Sequence, residues 1–428
     1  MSHSAVEDRN RQWLGSLPNG WTGGRLFQVA DAWTSNIDKH TVEGEPPVRL
    51  CNYTDVYKND AITSDLQFMA ATATPEQIER FRIAVGDTLI TKDSETADDI
   101  GIPAFVEYEA PDLICGYHLA IVRPRPSQIE PKFLFWTLKS DPTMGQWNVR
   151  AAGVTRVGLR SADLTKATIP LPPLDEQRRI AKFLDAETAQ IDTLIAEQER
   201  FIALLHERRG AVLQLPLTSL DWRVPLRAIT SLIQTGPFGS QLKSDEYEFS
   251  GVPVINPSHI VKGCIAPSPD ISVSAAKAKD LRRHAFATGD VVVARRGDLG
   301  RCAVVTTSAA GYLCGTGSAL VRPKPDRILP EFLALIFGSR QTRETLALES
   351  VGATMDNLNA DIIGSLRFPL PSVAEQQKIL TDLASQAARI DNLIAEAEHN
   401  IALSKERRAA LITAAVTGQI DVSTERAA

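Results

Sequence analysis

Three stretches of this 428-residue chain carry residue types that could do chemistry. Pro111-Asp112, followed by Glu130-Pro131-Lys132, fits a loose nuclease pattern in which carboxylates hold Mg²⁺ and a lysine assists phosphodiester cleavage. That chemistry needs the Glu and the Lys on one face of a strand, and Pro131 between them disfavours a paired strand. Asn256-Pro257-Ser258-His259 shares the start of the Asn-Pro-Pro-aromatic tetrapeptide of adenine methyltransferases. It lacks the second proline and the aromatic ring that would stack on a flipped base. Gly315-x-Gly317 lacks the third glycine of a dinucleotide-binding loop. The histidines are scattered without metal spacing, and no two cysteines form a CxxC pair. The expectation is a chain with no catalytic residue, no metal and no cofactor of its own.

The bulk properties set further bounds. An apolar fraction of 43% is ample for packed cores, and the length calls for more than one domain. No apolar run approaches the ~18 residues of a membrane span. The Met1–Arg9 segment is polar and lacks the apolar core of a signal peptide. Cys115 and Cys314 look like equivalent core positions rather than a disulfide pair, so a reduced, cytoplasmic setting is expected. The net charge of −6 counts against a nucleic-acid partner without excluding one, because phosphate affinity depends on local basic surface.

The elements that would position any site are written twice. Ile169–Leu213 aligned on Phe368–Ile412 gives 22 identities in 45 positions without a gap, at a constant offset of 199. Each copy opens on prolines (Pro170-Leu171-Pro172-Pro173 and Pro369-Leu370-Pro371-Ser372), passes through Glu176-Gln177 or Glu375-Gln376, and reaches Arg208-Arg209 or Arg407-Arg408. Ile180, Leu184, Ile191, Leu194, Ile202 and Leu205 recur at helical steps in the first, and Ile379, Leu383, Ile390, Leu393 and Ile401 in the second. Each copy therefore reads as one helix, a rod of roughly 60 Å. Neither can cover its own stripe, so the two are expected to pack as an antiparallel pair. Asp175 and Glu176 suit the positive end of the helix dipole, and the paired arginines the other end. Pro216 is expected to stop the first helix and Gly418 the second.

The remaining segments repeat more faintly. Trp21 answers Trp222, and Gly86-Asp87 answers Gly289-Asp290. Cys115-Gly116 with Val122-Arg123-Pro124 answers Cys314-Gly315 with Val321-Arg322-Pro323. Gly153, Thr155 and Leu159 answer Gly352, Thr354 and Leu358. Short β-rich runs at 87–92 and 290–294 and helical runs at 131–139 and 330–339 indicate α+β units with a mostly antiparallel sheet. The division is residues 1–169 and 216–368 for the globular domains, 170–215 and 369–428 for the helical spacers.

These features together resemble the specificity subunits of type I restriction–modification systems, over nearly the whole chain. The two Pro-Leu-Pro-x-x-x-Glu-Gln helix starts look like that family's two helical spacers. Gly236-Pro237-Phe238-Gly239-Ser240-Gln241-Leu242-Lys243-Ser244 resembles the start of a target-recognition domain, and Gly289 through Gly300 its central hairpin. Gly86 through Glu95 resembles the same piece in a differently specified domain. The resemblance implies two target-recognition domains joined by two long antiparallel helices, with pseudo-two-fold symmetry and no active site. Each domain would read one half of a split site in double-stranded DNA. The helices would set the spacing and dock two adenine-methyltransferase (modification) subunits, and restriction subunits would join them. S-adenosylmethionine, ATP and Mg would belong to those partners.

Base readout needs Arg, Lys, Asn, Gln or Asp on loops. In the second domain the candidates are Arg295, Arg296 and Asp298, then Ser240, Gln241 and Lys243. In the first they are Lys92, Asp93 and Ser94 at the equivalent hairpin, with Arg156 in the Gly-x-Thr turn. Arg296 and Asp298 could instead pair within their turn. Two other readings stand beside this one: the recognition subunit of a methylation-only system, and a DNA-independent adaptor with a helical spacer.

Overall fold

A computed structural model describes residues 12–153, 155–350 and 358–422. The Met1–Arg9 segment and the Gly352 and Thr354 correspondence lie outside them. Chain contacts define two units, Met1–Glu199 with His399–Ala428, and Arg200–Glu398.

In the first unit a five-stranded sheet holds β1 (Ala30–Thr34), β3 (Ala61–Ile62), β5 (Thr88–Thr91), β6 (Pro103–Val106) and β8 (Leu119–Pro124) in the order β1-β8-β5-β6-β3. It is antiparallel except for β3 with β6. A smaller sheet holds β2 (Pro47–Cys51) between β4 (Met69–Thr72) and, in parallel, β7 (Leu113–Cys115). All four residues of β5 are buried, because both faces of this central strand are covered, Ile90 packing into one core and Leu89 into another. Helix α1 (Pro131–Leu138) buries Phe133, Leu134 and Trp136, and Pro131 opens it at a position where no N–H is needed. A second helix, α2, follows at Asp141–Asn148.

The second unit repeats the scheme. Its main sheet runs β9-β15-β12-β13 (Thr230–Thr235, Ser318–Pro323, Val291–Ala294, Cys302–Val304), all antiparallel. Its small sheet puts β10 (Val252–Ile255) between β11 (Ser272–Val273) and, in parallel, β14 (Leu313–Cys314). Helix α4 (Pro330–Phe337) takes the place of α1. The α+β architecture with two related halves is thus present.

The repeated Gly-Asp and Val-Arg-Pro motifs turn out to be the two ends of one ion pair. Asp87 accepts from Arg123 through Nε and Nη2 at 2.8 and 2.7 Å and caps the Ala84 N–H at 2.9 Å. Asp290 accepts from Arg322 at 2.7 and 2.8 Å and from the Ala287 N–H at 2.6 Å. Both carboxylates are about 1% exposed, so a bidentate partner is what makes their burial tolerable.

The long helices are α3 (Leu174–Thr218, 45 residues) and α5 (Val373–Val416, 44 residues). The Glu-Gln motif clips each to its globular part. Gln177 accepts the Glu130 N–H at 2.8 Å and donates to the Pro172 carbonyl at 2.8 Å. Gln376 accepts the Leu329 N–H at 2.8 Å and donates to the carbonyls of Arg327 and Pro371, each at 2.9 Å. In the first unit Ile180 and Leu184 of α3 share a core with Ile412, Ala415 and Val416 of α5, and Arg408 binds Asp192 at 2.8 Å. In the second, Leu205 packs with Ile390 and Ile394, and Arg209 binds Asp391 at 2.7 Å. Residue numbers rise on one helix as they fall on the other, so the segments are antiparallel within each unit. The two ion pairs are the same pair with the helices exchanged, since Arg209 and Arg408, like Asp192 and Asp391, are 199 apart.

Several expectations need correction. Ile180, Leu184, Ile191, Leu205, Leu383 and Ile390 are buried, and Ile202, Ile379 and Ile401 half-buried, but Leu194 and Leu393 are 47% and 42% exposed. A step of three turns a side chain about 60° back and a step of four about 40° on; beyond Ile191 and Ile390 the covered seam takes the longer step, to Ile195 and Ile394. Pro216 lies inside α3. Its missing N–H costs one hydrogen bond in the last turn, where Leu217, 2% exposed, anchors the helix in the second unit's core. Arg209 and Arg408 answer carboxylates of the facing helix rather than the dipole, which acts only in the final turn. Gly418, at φ +71°, does cap α5, its N–H reaching the Ala415 carbonyl at 3.2 Å. Among the described residues no helix is long and apolar enough to cross a membrane.

Candidate nucleic-acid interface

In the first unit three loops meet at the end of β5. The Lys92 N–H donates to the His118 carbonyl at 2.9 Å, and the Leu159 N–H to the Lys92 carbonyl at 2.8 Å. This places Lys92, Asp93 and Ser94 beside the Gly116–His118 loop and the turn from Gly153 to Gly158. Asp93 Oδ2 takes the Lys92 ammonium at 2.5 Å and His118 Nδ1 at 2.7 Å. Burial pushes the Asp93 carboxyl up, but Lys92 and His118 outweigh it and hold the group below its usual range. Lys92 lies 4.7 Å over the Tyr117 ring, and Ser94 is buried against Asp99 at 3.4 Å. Lys92, Asp93 and Ser94 are therefore the floor of the site. Arg156 is exposed, with Nη1 3.4 Å from His118 Nε2. The turn carrying it needs its glycine: Gly153 has φ +153°, and a Cβ there would sit 1.9 Å from the Arg156 carbonyl oxygen. Thr155, the described half of the Thr155/Thr354 correspondence, is an exposed residue of that turn.

The second unit builds the same junction from different side chains. The Arg295 N–H donates to the Gly317 carbonyl at 3.0 Å, and the Leu358 N–H to the Arg295 carbonyl at 3.0 Å. Arg295 departs from expectation. It is 7% exposed and spends its guanidinium on the carbonyls of Leu358 (2.8 Å) and Thr316 (3.5 Å), so it ties loops together instead of facing outward. Asp298 is likewise consumed, by Arg301 at 3.0 Å and Arg343 at 3.1 Å, in a groove also lined by Lys262. Arg296 does not pair with Asp298; it is exposed and lies across Gly317. Ser240 and Lys243 are exposed on the Gly236–Ser244 loop, beside Phe238, which is 60% exposed; Gln241 accepts from Arg283 at 2.9 Å.

Other chemistry-like patterns resolve into structure. Asp112 forms a bidentate pair with Arg49 at 2.8 Å, and Lys132 pairs with Glu107 at 2.8 Å. Asn256 is the N-cap of the Pro257–His259 turn, and its Oδ1 takes the Gly317 N–H at 3.4 Å. Cys115 and Cys314 are buried free thiols whose pKa burial pushes up.

Sequence reasoning missed Tyr117 and His118. Tyr117 is 43% exposed, and His118 holds φ +69° without being a glycine. Their only signal is position, following Cys115-Gly116 where the repeat has Thr316-Gly317 after Cys314-Gly315.

Comparison with known proteins gives a consistent result. The model of the type I restriction modification DNA specificity domain matches residues 48–200 and again 233–399. The EcoKI specificity subunit of Escherichia coli K12 is 23% identical over 430 residues, covering 95% of this chain and 90% of that protein. The HsdS subunit of Thermoanaerobacter tengcongensis has the same fold at TM-score 0.58 and 20% identity, covering 95% of this chain and 98% of that one. A chain from a study of complex assembly and conformational transition of the type I R-M system aligns at TM-score 0.67 and 22% identity, over 95% and 100%.

Proposed function

Because the chain belongs to the type I restriction–modification DNA specificity family, carrying two of its recognition domains, we propose how it does that work: each unit reads one half of a bipartite, asymmetric DNA site. The observation that carries this reading is the duplication itself. Both units have one junction at the end of the central strand, closed by equivalent backbone bonds, yet different side chains stand on it. A shared frame with divergent contact residues suits two related readers of different sequences.

In the first unit Arg156 is the candidate reader, with Lys92, Asp93 and Ser94 supporting it. In the second, Arg296, Ser240, Gln241 and Lys243 are the candidates. Their donors suit phosphate oxygens and the acceptor edges of bases. The long helices set the distance between half-sites and dock two modification subunits, with restriction subunits joining the complex. The chain itself contributes recognition and no catalysis; S-adenosylmethionine, ATP and Mg act on the partner subunits. The test is a footprint of the chain with its modification subunit on DNA. Two protected base-specific segments with an unread gap are expected, with affinity falling steeply with salt. One continuous segment would refute the reading, and salt-insensitive binding without DNA would favour an adaptor.

A further inference from the structure

One position in the junction is filled in two opposite ways. Residues 118 and 317 are 199 apart and hold the same place, each giving its carbonyl to the first residue after the central strand. In the first unit His118 fills it with a ring. A guanidinium only donates, so His118 Nε2, 3.4 Å from Arg156 Nη1, must be the acceptor. The ring proton then sits on Nδ1 and is donated to Asp93 at 2.7 Å. Asp93 is fixed in turn by Lys92, whose ammonium lies over Tyr117. His118 holds a left-handed backbone, φ +69°, which is uncommon for a residue with a side chain.

In the second unit Gly317 leaves the place empty, and an arginine occupies it from the neighbouring loop. A Cβ on Gly317 would sit 2.6 Å from Arg296 Nε and 2.9 Å from Pro257 Cδ. Absence of a side chain here is what lets Arg296 lie across the loop.

Resting on the bipartite reading above, we propose that this position is the specificity-determining slot of each unit: His118 is a positioning residue that aims Arg156 at the first half-site, and Gly317 is the gap that aims Arg296 at the second. Each arginine presents donors only, so each reads an acceptor edge, that of guanine in the major groove.

The test uses the full chain in complex with its modification subunits and measures methylation on DNA with one half-site base changed at a time. His118→Ala lowers discrimination at guanines of the first half-site at least tenfold and leaves the second half-site unchanged. His118→Gln, which keeps a donor and an acceptor, restores part of it; a purely structural role would not predict that rescue. Gly317→His displaces Arg296 and lowers discrimination in the second half-site alone, and this variant carries the test if thermal unfolding shows the His118 variants misfolded. Unchanged discrimination in folded variants, or equal loss at both half-sites, overturns the slot. A wild-type complex that reads no bipartite site overturns the functional reading instead.

Discussion

Removing the Asp290 carboxylate tests whether the repeated Gly-Asp and Val-Arg-Pro motifs are one structural device. Asp290 is 1% exposed at its side chain, while Arg322 is 38% exposed. Asp290→Ala deletes the bidentate pair and leaves the Ala287 N–H, now bonded at 2.6 Å, without its acceptor. Breaking a buried pair costs ~3–5 kcal/mol when the survivor is trapped. Arg322 can turn to water, so the low end applies, and ~3 kcal/mol is expected including the orphaned N–H. For a unit of this size that is a fall in melting temperature of roughly 6–12 °C. Arg322→Ala should cost more, because it strands the carboxylate. The assay is a double-mutant cycle read by thermal and urea unfolding, with a coupling of at least ~1.5 kcal/mol between the two positions. Asp87 and Arg123 offer an internal replicate in the first unit. Losses under ~0.5 kcal/mol, or strictly additive effects, would refute the reasoning.

Further outcomes follow from other contacts. Gln376→Leu should cost ~2–4 kcal/mol, since it orphans the Leu329 N–H and the carbonyls of Arg327 and Pro371; faster hydrogen exchange at Leu329 reads it directly. Burial pushes the Asp60 carboxyl up, but Lys139 and Arg408 outweigh it and hold it below the usual range. The stability this group contributes is therefore present above the ordinary carboxylate pKa of ~4 and lost as pH falls through its lower folded value. Urea midpoints between pH 2 and 6 should show an acid limb that is reduced in Asp60→Asn. Gly153→Ala forces a Cβ onto the Arg156 carbonyl, so methylation assays should show lost first half-site recognition with the second intact.

Much of the fold was legible because a duplicated sequence exposes its frame. The helix starts and the equivalence of Cys115 with Cys314 were readable from the offset of 199, and the central strands from the Gly-Asp repeat at an offset of 203. What stayed hidden was pairing across distance. Asp87 and Arg123 are 36 residues apart, and nothing local says that one buried carboxylate needs the other's fork. The Glu-Gln motif announced a helix start, but not that its glutamine bonds back to the preceding domain. On the site the limit was direction. Arg295 and Arg296 are adjacent, and the sequence could not say that one turns inward to carbonyls while the other turns out. For His118 the offset marked a place but not a role, because that role arises only when three loops meet.

Lengthening both long helices tests the account most directly. Seven residues of matching heptad pattern inserted after Glu197 and after its repeat equivalent Glu396 add ~10 Å to each, two helical turns that keep the apolar seam in phase. Mapping of methylated adenines by the assembled complex should find both half-sites unchanged and the gap wider by up to about three base pairs. An unchanged gap with altered half-site sequence would contradict the claim that the helices are the ruler and the two units the readers.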